Sequence, residues 1–313
     1  MKKTALIAML ALTFGFAQDA KFSGLGFYEL SYNNDKGEDI SNTFDFNRVY
    51  FTFEKNISET LNYKFQTDVG RKGDDGRLEV YLKNAKLSWK TDFGKLVFGL
   101  QGLNVFNVQE KTWGYRSVEK SAMDKFKFAS SADLGAGFYT KVGEVSYSTL
   151  VTNGSGYKKP ENDSYKKLSG QVFYGPAKLN STKGMNVGAV ITYEPYKDDE
   201  SDAQKVIVVG LFGGYSAGSF RGGAELNQLM DSAETDNVLL LSGYGNYEIS
   251  KIVSLFGRVD NVSEGDFSNS NVIAGIAIKP EKGLKIMPNI RYNKPNEGDA
   301  STTCNLNFEF NIK

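Results

Sequence analysis

Apolar and polar residues alternate along most of this chain. Leu61, Tyr63, Phe65, Thr67 and Val69 interleave with Asn62, Lys64, Gln66 and Asp68. Leu284, Ile286, Pro288, Ile290 and Tyr292 interleave with Lys285, Met287, Asn289, Arg291 and Asn293. Successive side chains of an extended strand point to opposite faces, so a period of two predicts strands with one apolar and one polar face. Sixteen such segments are predicted, near 21–33, 44–56, 60–70, 78–90, 94–102, 132–142, 144–153, 166–175, 185–195, 204–215, 218–228, 237–248, 252–262, 271–279, 283–293 and 303–312. Two stretches, 205–215 and 236–246, are apolar or small on both faces.

The connections alternate between short and long. Asn56–Glu59, Thr91–Phe93, Gly143, Ala217, Ser250–Lys251 and Pro280–Lys282 are short, and Pro176–Lys183 is longer than its place in the series predicts. Asn34–Asn42, Arg71–Arg77, Asn153–Tyr165, Tyr196–Ala203, Leu229–Asp236, Ser263–Asn269 and Lys294–Ser301 are long and polar. An even strand count with short turns at one rim and long loops at the other is the pattern of a transmembrane β-barrel. A two-domain sandwich would need a linker and a solenoid a fixed repeat, and neither is visible. The reading is an all-β, 16-stranded antiparallel transmembrane barrel.

The first residues read as an address. Lys2 and Lys3 precede the apolar run Ala5–Phe16, and Gly15 and Ala17 put small residues before a cut after Ala17. That is the form of a secretory signal peptide, 1–17, followed by a barrel over 18–313. Past residue 17 no apolar run approaches the roughly 18 residues of a membrane helix.

Composition then removes several chemistries. The 313 residues include no His and one Cys, with 37 basic and 37 acidic residues. Without His there is no Ser-His-Asp triad, no His-bound zinc and no usual general base, which argues against a barrel enzyme. A lone Cys304 allows no internal disulfide. The balanced charge argues against nucleic acid as a partner. No cofactor or metal is implied, and the acidic stretch Asp198–Asp202 reads as a solvated loop rather than a calcium site.

If the apolar parity faces lipid, the opposite parity lines a lumen. It carries Arg48, Lys64, Lys86, Lys95, Lys141, Arg221, Arg258 and Arg291, against Glu54, Asp68, Glu194, Glu225, Asp260 and Glu309. Sixteen strands leave room for an aqueous channel, and water is what makes so many charges tolerable there. The connection Gly102–Ser131 differs from the rest. It holds Val105, Phe106, Val108, Trp113, Tyr115, Val118, Met123, Phe126 and Phe128, too apolar to stand in solvent. We expect it to fold inward as a constriction loop over 104–131, with helical spacing across Tyr115–Phe126. Its charges, Lys111, Arg116, Lys120, Lys125 and Lys127 against Glu110, Glu119 and Asp124, would then lie at the narrowest point. Arg48, Lys64, Lys86, Lys95, Arg221, Arg258 and Arg291 would line the pore wall. Tyr32, Tyr157, Tyr165, Tyr193, Tyr196 and Tyr292 are compatible with an interfacial aromatic girdle.

The stretch Phe46–Gly70, FNRVYFTFEKNISETLNYKFQTDVG, resembles a strand-turn-strand of the phosphate-selective porin O and P family. Leu82–Gln101, LKNAKLSWKTDFGKLVFGLQ, is similar to that family's next hairpin. The resemblance implies a homotrimer of sixteen-stranded barrels in the lipid bilayer of a Gram-negative outer membrane, each with its third loop inside. Phosphate selectivity would need a dense run of Arg and Lys, and this chain has seven Arg and a nearly balanced lumen. The expected function is therefore passive diffusion of small ions and hydrophilic solutes, with a weak anion preference. An oxyanion-specific channel and a closed structural barrel are the alternatives.

Overall fold

The computed structural model describes residues 20–33, 41–72, 76–161, 163–197 and 203–312. The leader 1–17 and the acidic stretch Asp198–Asp202 lie outside the described residues. Sixteen strands follow in order: β1 (Ala20–Asn33), β2 (Ser41–Asn56), β3 (Leu61–Lys72), β4 (Arg77–Thr91), β5 (Gly94–Gly102), β6 (Ala132–Val142), β7 (Val145–Thr152) and β8 (Lys167–Tyr174). Then come β9 (Gly184–Tyr196), β10 (Gln204–Ala217), β11 (Phe220–Asp231), β12 (Val238–Glu248), β13 (Val253–Glu264), β14 (Phe267–Glu281), β15 (Leu284–Pro295) and β16 (Ser301–Ile312). Each pairs antiparallel with its sequence neighbours, and β1 pairs with β16 to close the barrel.

One predicted long loop is not one. Ser263–Asn269 is mostly strand, with β13 and β14 joined at Gly265–Asp266. The polar residues there extend the ladder, through Val262 opposite Asn269 and an Asn261 to Ser270 side-chain hydrogen bond. Gly265, at φ 52°, supplies the left-handed residue that so tight a turn favours.

The two unlike faces of the strands are borne out. Phe44, Val80, Leu211, Leu241 and Val259 are exposed on the outer surface, while Asp68, Asn227, Ser242 and Asp260 are buried inside. Among the described residues the register shifts at three places, one of them between Ile278 and Glu281 at the end of β14. In β2 Phe27 stands opposite Arg48 and Tyr28 opposite Phe46, leaving Asn47 over. In β4 Gln66 stands opposite Asn84 and Thr67 opposite Leu82, leaving Lys83 over. The extra residue turns both Lys83 and Asn84 inward, and the outward series Leu78, Val80, Leu82 resumes as Leu87 and Trp89.

The apolar core lies inside the barrel, on one side. Leu150, Val190, Val208, Leu240 and Val262 point inward and pack against Val105, Phe106, Met123 and Phe128 of the β5–β6 loop, hereafter L3. Trp113, Tyr115 and Val118 pack against Tyr244, Phe256, Ile273 and Met287. This explains the strands that are apolar on both faces. One face meets the outside and the other meets L3. Each large side chain so buried contributes about 1.5–3 kcal/mol, enough to hold the loop inward.

Candidate functional site: the inward loop L3

L3 contains two short helices, α1 (Asn107–Trp113) and α2 (Ala122–Lys125). The predicted helical stretch Tyr115–Phe126 is helical only in its last turn, and α1 lies ahead of it. Gly114, at φ 76°, ends α1 with its N–H donating to the Glu110 carbonyl. The over-long short connection, 175–183, tucks Leu179 beneath α1. Gly214 leaves the room, since a Cβ there would lie 2.7 Å from Thr112 and 2.9 Å from Leu179.

Three wall arginines grip L3 by its backbone carbonyls. Arg221 Nε donates to Thr112 O at 2.8 Å and Nη2 to Trp113 O at 3.2 Å. Arg291 Nη2 donates to Val118 O at 2.8 Å, and Arg258 donates to Lys120 O. Arg258 also donates from Nε to Asp260 at 2.7 Å, and its side chain is only 1% exposed. Arg291 pairs with Glu29. These three were expected as pore-wall charges. The structure places them against L3 as its clamps, Arg221 and Arg258 largely covered by it, while Arg291, 25% exposed, also lines the cavity on the long-loop side.

Within L3, Arg116 pairs with Glu110 and, at 3.0 Å, with Asp124. Burial works against its charge, but Glu110, Tyr50 and Asp124 outweigh it and hold the guanidinium firmly protonated. Lys125 lies 3.6 Å from Glu119 and 3.1 Å from Asn271 Oδ1, on the side of L3 that meets the wall, and burial lowers its pKa. Lys111, Lys120 and Lys127 are exposed on L3. The predicted constriction charges thus divide into an ion-paired trio around Arg116 with one negative charge left over, a wall-bound pair, and three exposed lysines.

The opposite wall, β2 to β5, is polar. Gln66 donates to Thr52 at 2.8 Å and Asn84 to Gln66 at 2.7 Å, a side-chain ladder across three strands. Arg48 pairs with Asp68, and Lys64 with Glu54 at 2.9 Å. Lys83, Lys86 and Lys95 have no carboxylate within 4.0 Å among the described residues. Two of them sit on rings: Lys83 Nζ is 3.7 Å from the centre of Tyr157, and Lys95 Nζ is 4.7 Å from that of Tyr139.

Tyr157 is not a girdle residue. It enters the lumen from L4, the loop between β7 and β8. Its hydroxyl donates to Asp68 and accepts from Arg48, both at 3.3 Å. Burial raises its pKa to about 12, with Arg48 pulling the other way. The next residue, Lys158, lies 4.3 Å from the Tyr81 ring, is exposed, and has no carboxylate partner among the described residues. Tyr32, Tyr193 and Tyr292 do stand on the outer surface. Lys83, Tyr157 and Lys158 were missed as site residues. The doublet Lys83-Asn84, falling where the apolar parity switches, was the signal for the first. A loop tyrosine carries no parity, so nothing marked the second.

The chain has the fold of the sixteen-stranded porins. The anion-selective porin from Comamonas acidovorans superposes with a TM-score of 0.74 at 12% identity, over 94% of this chain and 99% of that one. The Salmonella typhi OmpF complex with daunomycin gives 0.72 at 12% identity, over 94% and 97%. The trimer form of OmpT, an outer-membrane protein of Vibrio cholerae, gives 0.66 at 13% identity, over 93% and 98%. No protein-family model matches, and no curated protein matches by sequence. The resemblance to phosphate-selective porins therefore reaches the general sixteen-stranded porin fold and no further.

Proposed function

We propose that this chain forms a water-filled outer-membrane channel for passive diffusion of small hydrophilic solutes and ions, with a weak preference for anions. The observation that carries this reading is how the lumen charges are partnered. Arg48, Arg116, Arg258 and Arg291 each have a carboxylate, whereas the half-buried Lys86 and the exposed Lys95 and Lys158 have none among the described residues. Among the described residues, Asp133 and Glu225 also lack a cation but are 1% and 4% exposed and do not meet the pore water, and Asp92, exposed at the short-turn rim, offsets part of the lysine charge. The surplus facing solvent is positive and modest. Salt screens it over about 8 Å, so it biases rather than selects. Export through the leader 1–17 and assembly as a homotrimer belong to the same reading. The trimer form of OmpT and the family resemblance support the second.

The test is a planar-bilayer recording of the purified protein. Discrete steps, with a reversal potential in a KCl gradient displaced toward the chloride value, are expected. Saturable block by phosphate at low concentration would favour an oxyanion-specific channel instead. Absence of any steps from correctly folded protein would leave a closed barrel.

A further inference from the structure

Beyond the lumen, the two mouths of the barrel carry opposite charge. At the long-loop rim, the connections after β11, β13 and β15 present Glu234, Asp236, Glu264, Asp266, Glu297 and Asp299, all exposed. None is in ion-pair contact with a lysine or arginine among the described residues. The three connections are held side by side. A Cβ on Gly265 would lie 2.6 Å from Asp236 Oδ2, and Asn296 Nδ2 donates to Asp266 O. Glu264 shares the inward parity of Asp260 and Val262, whereas Lys205 and Lys294 at the same rim continue the outward series of Val209 and Tyr292. Lys158, Lys159 and Lys197 oppose the carboxylates in smaller number.

The short-turn rim is the reverse. A cavity of about 640 Å³ there is lined by Lys90 and Lys95 against Asp92, with Lys141 paired to Glu144 at 3.3 Å. A second, of about 830 Å³, is lined by Lys279 and Lys282 against Glu281, with Lys285 paired to Glu309 at 2.6 Å. Lys178, Lys183 and Lys251 are exposed on the turns, against Glu59 and Glu248. Ammoniums therefore outnumber carboxylates at this mouth.

We propose that this axial asymmetry makes the channel an ionic rectifier, which passes more current when its long-loop side is positive. This rests on the channel reading above. Fixed carboxylates enrich cations in one mouth, and fixed ammoniums enrich anions in the other. With the long-loop side positive, the field drives each ion inward through the mouth that concentrates it. Both accumulate around L3 and the conductance rises. With the polarity reversed, each ion must enter through the mouth that repels it, and the middle of the channel empties. The exposed lysines of L3 stand between the mouths. They move the junction toward the long loops and leave its polarity unchanged. Because the mouths enrich opposite ions, net selectivity stays weak while the direction of current matters. The effect needs a screening length that covers a mouth, which is about 30 Å in 0.01 M salt and about 3 Å in 1 M.

The experiment records single-channel currents of the full chain in symmetric KCl, at about 0.01 M and about 1 M, under about 100 mV of either sign. The parent should rectify roughly two-fold in the dilute salt and not in the concentrated one. Two variants locate the source: Glu264→Gln/Asp266→Asn/Glu297→Gln/Asp299→Asn at one mouth, and Lys90→Gln/Lys279→Gln/Lys282→Gln at the other. Each should bring the ratio of the two currents close to unity. Removing the neutral pair, Lys141→Gln/Glu144→Gln, should leave the ratio as in the parent. Folding is checked by heat-modifiable gel mobility. One chamber is then brought to about pH 3.5, where carboxylates protonate and lysines stay charged. Rectification should vanish only when the acidified chamber is the one whose positive potential gives the larger current, whichever way the channel inserted. A symmetric current in dilute salt, a ratio unmoved by both variants, or loss of rectification with acid on the opposite side would overturn the rectifier while the channel stands. A parent that does not conduct would remove the channel reading itself.

Discussion

Lys83 Nζ lies 3.7 Å from the centre of the Tyr157 ring, joining a bulge in the wall of β4 to a loop beyond β7. The same tyrosine's hydroxyl bridges Arg48 and Asp68. This side chain adds to the bonds that already hold L4 against β6, from Tyr157 N to Ala132 O and from Gly154 N to Asp133. Tyr157→Ala should widen the passage and raise single-channel conductance. Tyr157→Phe keeps the ring over Lys83 and should conduct like the parent.

The three arginines that grip L3 should differ in cost. Arg221→Gln loses two hydrogen bonds to carbonyls and strands no carboxylate, an expected loss of about 1.5–3 kcal/mol. Arg258→Gln leaves Asp260 buried without its partner, an expected loss of about 3–5 kcal/mol. Denaturant midpoints in detergent check the order. Open-channel current noise should rise in both as L3 loosens.

Gly114 is tied to the same grip. A Cβ there would stand 2.7 Å from Arg221 Nη2, in a left-handed conformation at φ 76°. Gly114→Ala should cost about 1 kcal/mol from the backbone alone, and more because Arg221 must move. A conductance as noisy as that of Arg221→Gln, in a folded barrel, is the expected signature.

Anion preference should depend on pH with a definite sign. Burial lowers the Lys158 pKa below the ordinary 10.5, Arg48 and Lys120 lower it further, and Asp68 opposes them. The ammonium is protonated below its pKa, so the preference is fullest in acid and declines as pH rises, beginning before the ordinary lysine range. Reversal potentials measured from pH 6 to 10 check this. Lys158→Gln should flatten the alkaline end of the curve.

The barrel was legible because the physics that builds it is local. Each strand must present one face to lipid, and that requirement writes itself as a period of two. Val208 and Leu240 blurred the period because a third surface, L3, covers them, and that contact joins residues a hundred positions apart. Lys83 was hidden by a single inserted residue, since a bulge reverses every inference drawn from parity beyond it. The charges of L3 could be listed from the sequence, but their partners could not. Whether Arg258 faces water or a carbonyl is decided by packing, which no spacing encodes.

The seam between β1 and β16 has a bearing on how the protein comes into being. Gly24 stands opposite Ile312 and Asn33 opposite Thr303, so the first and last strands complete each other. Until the last strand arrives, a growing sheet has two open edges whose N–H and C=O groups hydrocarbon cannot satisfy. The ring has no stable half. On the channel reading, entry into a bilayer awaits nearly the whole chain, and the joining of its two most distant strands is the loop closure with the greatest entropic cost. Biogenesis should therefore be slow, and poised on its final pairing step.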